Sequence, residues 1–332
     1  MKYLLIDFGA SNIKSATYDT ISQKLENYSK QPSPFLHNHK IHKQDTLQIL
    51  KNLLNQQTVH IDKIYLCSIL GGKYIGDYYY SWQSDYSTQE IDVVDCCLIS
   101  GLFKESELFH MHIDHFRPNT RYKYLDTCQV LGYIQTVPVY TAMGDTQCVI
   151  AGAKNSIKGD YGAIVNLGTG SQVIHICQGK EQNRYSYIPS GRALNVFQNF
   201  FKELGADFFS IAQKINLSDI LNSSIIINLN VFNQSHKFSI DGGSICNIHE
   251  KSFNVKNFVA SVIRCYLDQY GEFLVAPYDK NIIICGGVSH NIPVITPYME
   301  HKYRNSNISI SSVIDETFIG MKERIENNYV TK

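Results

Sequence analysis

Short apolar runs alternate with amphipathic stretches along the whole chain. Tyr3 to Ile6 is continuously apolar, as a strand buried on both faces requires, and it ends in the small-residue turn Asp7 to Asn12. Ile13 to Tyr18 and Lys24 to Tyr28 predict two further strands. Gln31 to Lys43, with two prolines and three histidines, reads as a loop. Asp45 to Asn55 places Leu47, Leu50, Leu53 and Leu54 on one helical face. Ile64 to Ile69 predicts a core strand, Gly71-Gly72 a turn, and Tyr74 to Trp82 another strand. Helices are expected over Gln89 to Leu102 and within Arg117 to Gly132. Val137 to Tyr140 is a strand, and Thr146 to Ala153 a helix.

Near Lys158-Gly159-Asp160 the pattern restarts. Ala163 to Asn166 is a strand, Leu167 to Ser171 a Gly/Thr turn, and Gln172 to Cys177 a strand. Asn166, Gly168 and Gly170 fall on Asp7, Gly9 and Ser11 at a constant offset of 159 residues, the mark of an internal duplication. Helices follow at Arg192 to Leu204 and Ile211 to Leu221, a β run at Ile225 to Val231, and a long helix at Val255 to Leu274. Asn281 to Cys285 is a buried strand, Val294 to Tyr303 a helix, Ile308 to Ser311 a strand, and Asp315 to Asn327 the last helix. The reading is an α/β chain of two domains, 1–158 and 159–332. Two like-shaped turns across a cleft would clamp one polyphosphate.

Three glycine-bearing strand turns carry the candidate chemistry. In Asp7-Phe8-Gly9-Ala10-Ser11-Asn12, backbone N–H groups can hold phosphate oxygens, Asp7 can hold Mg²⁺ through water, and Lys14 can add charge. An ordinary hairpin with Lys14 on its solvated face fits the same residues. Gly168, Thr169 and Gly170 form the second turn; Gly286 and Gly287 form the third, where the missing Cβ atoms let a flat ligand approach the backbone. Gly144-Asp145-Thr146-Gln147 follows a strand and opens a helix. Asp145 is a candidate general base for a substrate hydroxyl and a candidate Mg²⁺ contact; it is equally a helix N-cap. Trp82 beside Gln83 and Asp85 suits a sugar, whose C–H faces meet the ring while its hydroxyls meet the polar groups; a core tryptophan is the plainer alternative. His37, His39 and His42, and His110-Met111-His112-Ile113-Asp114-His115, invite a metal reading that solvated histidines also satisfy.

Lys plus Arg equals Asp plus Glu at 30 each, with no basic stripe, which argues against nucleic acid as the main partner. No apolar run spans a membrane, and Asp7 breaks the N-terminal run too early for a secretion signal. The nine cysteines are odd in number and form no C-x-x-C pair; they read as small buried residues of a cytoplasmic protein, a monomer or homodimer.

The order of these turns resembles the FGGY carbohydrate kinases of the actin-like, ribonuclease-H-like ATPase superfamily. D-F-G-A-S-N-I-K is similar to the family's first phosphate motif, G-D-T-Q-C to its catalytic-aspartate motif, N-L-G-T-G-S-Q to its second phosphate motif, and C-G-G-V-S-H-N, through Asn291, to its adenosine motif. Ser81-Trp82-Gln83 with Asp85, and the N-x-x-x-S-x-Q pattern from Asn166 to Gln172, are similar to the sedoheptulokinase branch. The resemblance implies two ribonuclease-H-like domains facing across a central cleft, ATP with Mg²⁺, and phosphorylation of a ketose or heptose. Two segments depart from it. Ser68-Ile69-Leu70-Gly71 stands where M-H-G is expected, and Gln234-Ser235-His236-Lys237 where G-E-R is expected. These departures motivate one rival, a non-catalytic sugar- or nucleotide-binding regulator; a further option is an actin-like ATPase that acts on a protein partner, and Trp82 and Asp85 in the expected sugar lobe argue against it.

Overall fold

The computed structural model describes residues 1–9, 11–35, 40–68, 72–81, 130–140, 143–168, 170–231, 242–311 and 316–330. It divides into two compact units, Met1–Gly152 with Asp315–Lys332, and Ala153–Ile314.

The first unit is built on β1 (Lys2–Phe8), which pairs antiparallel with β2 (Asn12–Asp19); β2 pairs with β3 (Lys24–Pro32). The apolar run of β1 is buried on both faces. Leu4, Ile6 and Phe8 join a core with Leu50 and Leu53 of α1 (Lys43–Asn55), while Tyr3 and Leu5 enter a second core on the other face. β4 (Lys40–His42) lies inside the stretch read as a loop, and His42 caps α1, its Nδ1 accepting the Gln44 N–H at 3.1 Å. β5 (Lys63–Ser68) runs parallel to β1. The single strand expected over Tyr74 to Trp82 is a hairpin, β6 (Gly72–Ile75) and β7 (Tyr78–Ser81), because Gly76 turns the chain at φ 60°. β8 (Val130–Ile134) is a strand where the expected helix would have been ending; it pairs with β9 (Val137–Tyr140). β10 (Met143–Gly144) pairs with β5 and delivers the chain into α2 (Asp145–Lys154). The main sheet order is β3-β2-β1-β5-β9-β8.

The second unit repeats this order as β13-β12-β11-β16-β17. β11 (Tyr161–Leu167) takes the part of β1, with β12 (Ser171–Cys177) and β13 (Lys180–Ile188) beside it. The turn is one residue shorter here: Phe8 pairs with Ile13, but Leu167 pairs with Ser171. The sheet partner of Asp7 is therefore Lys14, and that of Asn166 is Gln172. α3 (Gly191–Glu203) follows β13. The helix expected over Ile211 to Leu221 is two short ones, α4 (Phe208–Ala212) and α5 (Leu217–Leu221), since Asn216 and Asp219 form a capping box that starts a new helix. β14 (Ile226–Asn228) and β15 (Ser244–Cys246) form a ribbon. α6 (Val255–Asp268) ends earlier than expected, in a 3₁₀ turn at Gln269–Glu272. β16 (Asn281–Cys285) runs parallel to β11, the third glycine turn becomes the short α7 (Gly287–Asn291), and α8 (Ile295–Lys302) and β17 (Asn307–Ile310) complete the unit.

The last helix, α9 (Glu316–Val330), belongs to the first unit, where the sequence pattern had placed it in the second. Phe318, Met321 and Ile325 share a core with Tyr3, Leu5, Tyr65 and Cys148. Two glycines allow the approach. A Cβ on Gly320 would overlap the Cys148 carbonyl of α2, and one on Gly152 would overlap the Glu316 carbonyl of α9. The Tyr18 hydroxyl also donates to Glu326.

Candidate functional site

In the first unit, Asp7 closes β1 on the face that carries Tyr3 and Leu5, and it is only 6% exposed. A buried carboxylate needs a counter-charge, and Lys14 supplies one, with Nζ 3.4 Å from Oδ2. Gly9 donates its N–H to Asn12 O at 3.1 Å, and a Cβ there would stand 2.9 Å from the same oxygen. The tight turn thus requires glycine. The Ser11 carbonyl accepts the Ser33 N–H at 3.1 Å, which ties the turn to the end of β3.

Asp145 is the first residue of α2, half-buried, in the turn where the helix dipole favours a carboxylate. Its relation to Asp7 is written on Cys67, which sits beside Asp7 in the parallel pair β1/β5. Burial pushes the Cys67 thiol well above its ordinary range, its hydrogen bond with Cys148 adds to this, and the charges of Asp7 and Asp145 push the same way. Two carboxylates from different elements therefore act on one buried thiol at one end of the sheet. The thiol stays protonated and unreactive.

In the second unit, three segments meet. Gly191, at the start of α3, donates its N–H to the Gly168 carbonyl at 3.0 Å; its Cβ would lie 2.7 Å from that oxygen and 2.9 Å from Val288 Cγ2. Gly286, at φ 93°, lies against the end of β11, where a Cβ would be 2.6 Å from Leu167 C and 2.7 Å from Asn166 Oδ1. Gly170 and Gly287 have the opposite surroundings: no atom lies within 4 Å of a Cβ on either. Gly168, Gly191 and Gly286 close the structure, whereas Gly170 and Gly287 leave backbone open. Asn291 ends α7 and is exposed. Ser190 caps α3, and burial lowers the pKa of the half-buried Arg192 guanidinium beside it. A helix N-terminus with no acidic residue in its first turn, set against a glycine turn, is suited to anionic oxygens.

Thr169, Trp82, Gln83 and Asp85 lie outside the described residues, as do His37, His39 and the His110 to His115 stretch. Sequence reading missed Ser190-Gly191, whose signal was a Ser-Gly pair opening an apolar helix. It also missed the Cys67–Cys148 pair beneath the carboxylates, which carries no local signature. Among the described residues, no three His, Cys, Asp or Glu side chains gather into a metal cage, no cysteine is in a disulfide, and no helix is long and apolar enough to cross a membrane. One carboxylate still fits Mg²⁺, which takes one or two carboxylates together with substrate phosphates and keeps its waters. Asp7 is placed to be that carboxylate.

The open surroundings of Gly287 give a direct test. Gly287→Val leaves the fold intact, since its side chain enters open space. If this backbone borders a bound nucleotide, ATP affinity falls in calorimetry; unchanged affinity in the folded variant removes the third turn from the site.

No family model matches the sequence, and no curated protein matches it. Solved structures do. A gluconate kinase from Lactobacillus acidophilus superposes with a TM-score of 0.65 at 11% identity, over 100% of this chain and 90% of that one. The fold is that of the two-domain actin-like ATPase sugar kinases. A glycerol kinase from Plasmodium falciparum with ADP gives 0.61 at 12% identity, over 100% and 90% of the two chains. An activator of 2-hydroxyisocaproyl-CoA dehydratase from Clostridium difficile, with bound ADPNP, gives 0.51 at 12% identity, over 100% and 97%.

Proposed function

We propose that the protein is an ATP-dependent carbohydrate kinase that transfers the γ-phosphate of Mg-ATP to a hydroxyl of a ketose or heptose-type sugar. The observation that carries this is strand register: Asp7 lies opposite Cys67 and Gly144, which precedes Asp145, lies opposite Ser68, so both carboxylates stand at the same end of β5, in a fold shared with sugar kinases. Asp145 takes the proton of the sugar hydroxyl as its oxygen attacks the γ-phosphorus and the bond to the β-phosphate oxygen breaks, releasing ADP. Asp7 would hold Mg²⁺ through water, and Lys14 balances the buried charge. The N–H groups of the turn from Gly9 to Asn12 and of Gly168, Thr169 and Gly170 bind phosphate oxygens, and Gly286, Gly287 and Asn291 border the adenosine. Mg²⁺, when bound, neutralises phosphate charge. Phosphoryl transfer rests on such alignment and neutralisation more than on covalent chemistry. A cytoplasmic setting and a monomer or homodimer complete the reading.

The Ser81-Trp82-Gln83-Ser84-Asp85 segment supports a sedoheptulose-like acceptor. Trp82→Ala weakens sugar binding by roughly 1–3 kcal/mol if the indole covers the sugar; if Trp82 is only core, the variant melts earlier with the sugar KM unaltered. Ser68, which is buried where the family's M-H-G segment would begin, favours a second reading, a regulator that binds sugar or nucleotide without turnover. Purified protein with Mg-ATP and a panel of ketoses and heptoses separates the two. The kinase releases ADP in step with phosphorylated sugar, and the regulator binds without releasing any. A protein-directed ATPase would release ADP with no sugar present.

A further inference from the structure

The shorter second turn changes what stands beside it. In the first unit, the row across the sheet at the turn is Asp7, Lys14 and Lys30, an acid and two cations. In the second unit, the same row is Asn166, Gln172 and Ser186, with no charge at all. Gln172 and Ser186 are directly opposed on β12 and β13, so their side chains share one face of the sheet. That face is opposite to the core side, where Val173 and Leu167 are buried. The Gln172 Oε1 and Ser186 Oγ atoms are both buried, and neither has a hydrogen-bond partner among the described residues. They do not bond each other either.

Buried polar atoms without partners cost stability, and a folded protein keeps few of them. Two on neighbouring strands, beginning two residues beyond Gly170, call for a common explanation. Both residues are only half-buried as wholes, and the last torsion of a glutamine is soft, so the carboxamide can turn outward without moving the sheet. We infer that Gln172 and Ser186 are a further pair of nucleotide contacts, accepting hydrogen bonds from O–H groups of the bound Mg-nucleotide beside the second turn. This rests on the kinase reading and extends it to two residues outside the glycine turns. The O–H groups have two sources: the ribose hydroxyls, and the water shell of the nucleotide's metal ion.

The test uses Gln172→Met, which keeps the length and removes the carboxamide, and Ser186→Ala, which removes only the hydroxyl. Each is melted in the free state and titrated with ADP plus Mg²⁺ and with ADP plus EDTA. The expected result is a free-state melting temperature equal to or above wild type, with Mg-ADP dissociation constants raised roughly 3- to 10-fold, the loss of one net hydrogen bond. A loss seen only with Mg²⁺ assigns the pair to the metal's water shell; a loss in both arms assigns it to the ribose. An unchanged Mg-ADP dissociation constant in both variants overturns the inference. If Gln172→Met both melts early and binds weakly, Ser186→Ala decides: weaker binding with unaltered melting supports the pair, and unaltered binding overturns it. Wild-type protein that binds no ADP overturns the kinase reading, and this pair with it.

Discussion

Asp145→Asn is expected to leave a folded protein that binds nucleotide normally and has lost roughly 10²-fold or more in kcat. The magnitudes separate the two roles of this residue. As the first residue of α2, its carboxylate interacts with the helix dipole for about 0.3–1 kcal/mol, which is the stability asparagine there would forgo. A purely structural Asp145 therefore predicts a small change in melting and the wild-type rate. A proton acceptor predicts the reverse. Because Asp145 also stands near the Asp7 site, the assay is run at saturating Mg²⁺, so that weakened metal binding is not read as lost chemistry. A folded variant that phosphorylates sugar at the wild-type rate places the chemistry elsewhere.

The largest stability effect is expected at Gly320, in the last helix. Gly→Ala inside a helix ordinarily gains about 1 kcal/mol from backbone propensity. Here the new Cβ would overlap the Cys148 carbonyl, and the neighbour is helix backbone that cannot rotate away. Overpacking of this kind costs about 1–3 kcal/mol and occasionally more, so the clash outweighs the propensity gain. Gly320→Ala is expected to lower the melting temperature by roughly 2–8 °C, taken for a net loss of about 1–2 kcal/mol, the upper half of that overpacking range less the propensity gain. Activity should fall as well, because α2 carries Asp145 and must shift to accommodate the methyl. An unchanged melting temperature would mean that α9 does not lie against α2 in this way.

What was legible in the sequence was local. The turn at Gly9, the opening of α2 at Gly144-Asp145, and the strand ends at Gly168 and Gly286 each combine a buried run with a small residue, and each sits where the pattern places it. The offset between Asp7 and Asn166 was visible too, and the repeated strand order gives it a structural counterpart. What escaped was long-range. Nothing near Gly191 announces that its N–H meets the Gly168 carbonyl, because that bond joins segments separated by two whole strands. Nothing near Gly320 announces Cys148, so the last helix was read with the unit that precedes it in sequence, not the one it packs on. The one-residue shortening of the second turn was hidden as well. It emerges only from strand register, and it replaces the ion pair of Asp7 and Lys14 with the amides of Asn166 and Gln172.

Sugar-dependent phosphoryl transfer is read from its two products at once. Wild-type protein is mixed with Mg-ATP and each member of a ketose and heptose panel, and ADP and sugar phosphate are quantified together. At least one sugar is expected to yield ADP and its phosphate in equal amounts, well above the ADP released without sugar. Protein that binds both sugar and ATP, yet forms neither product with any sugar of the panel, would contradict it.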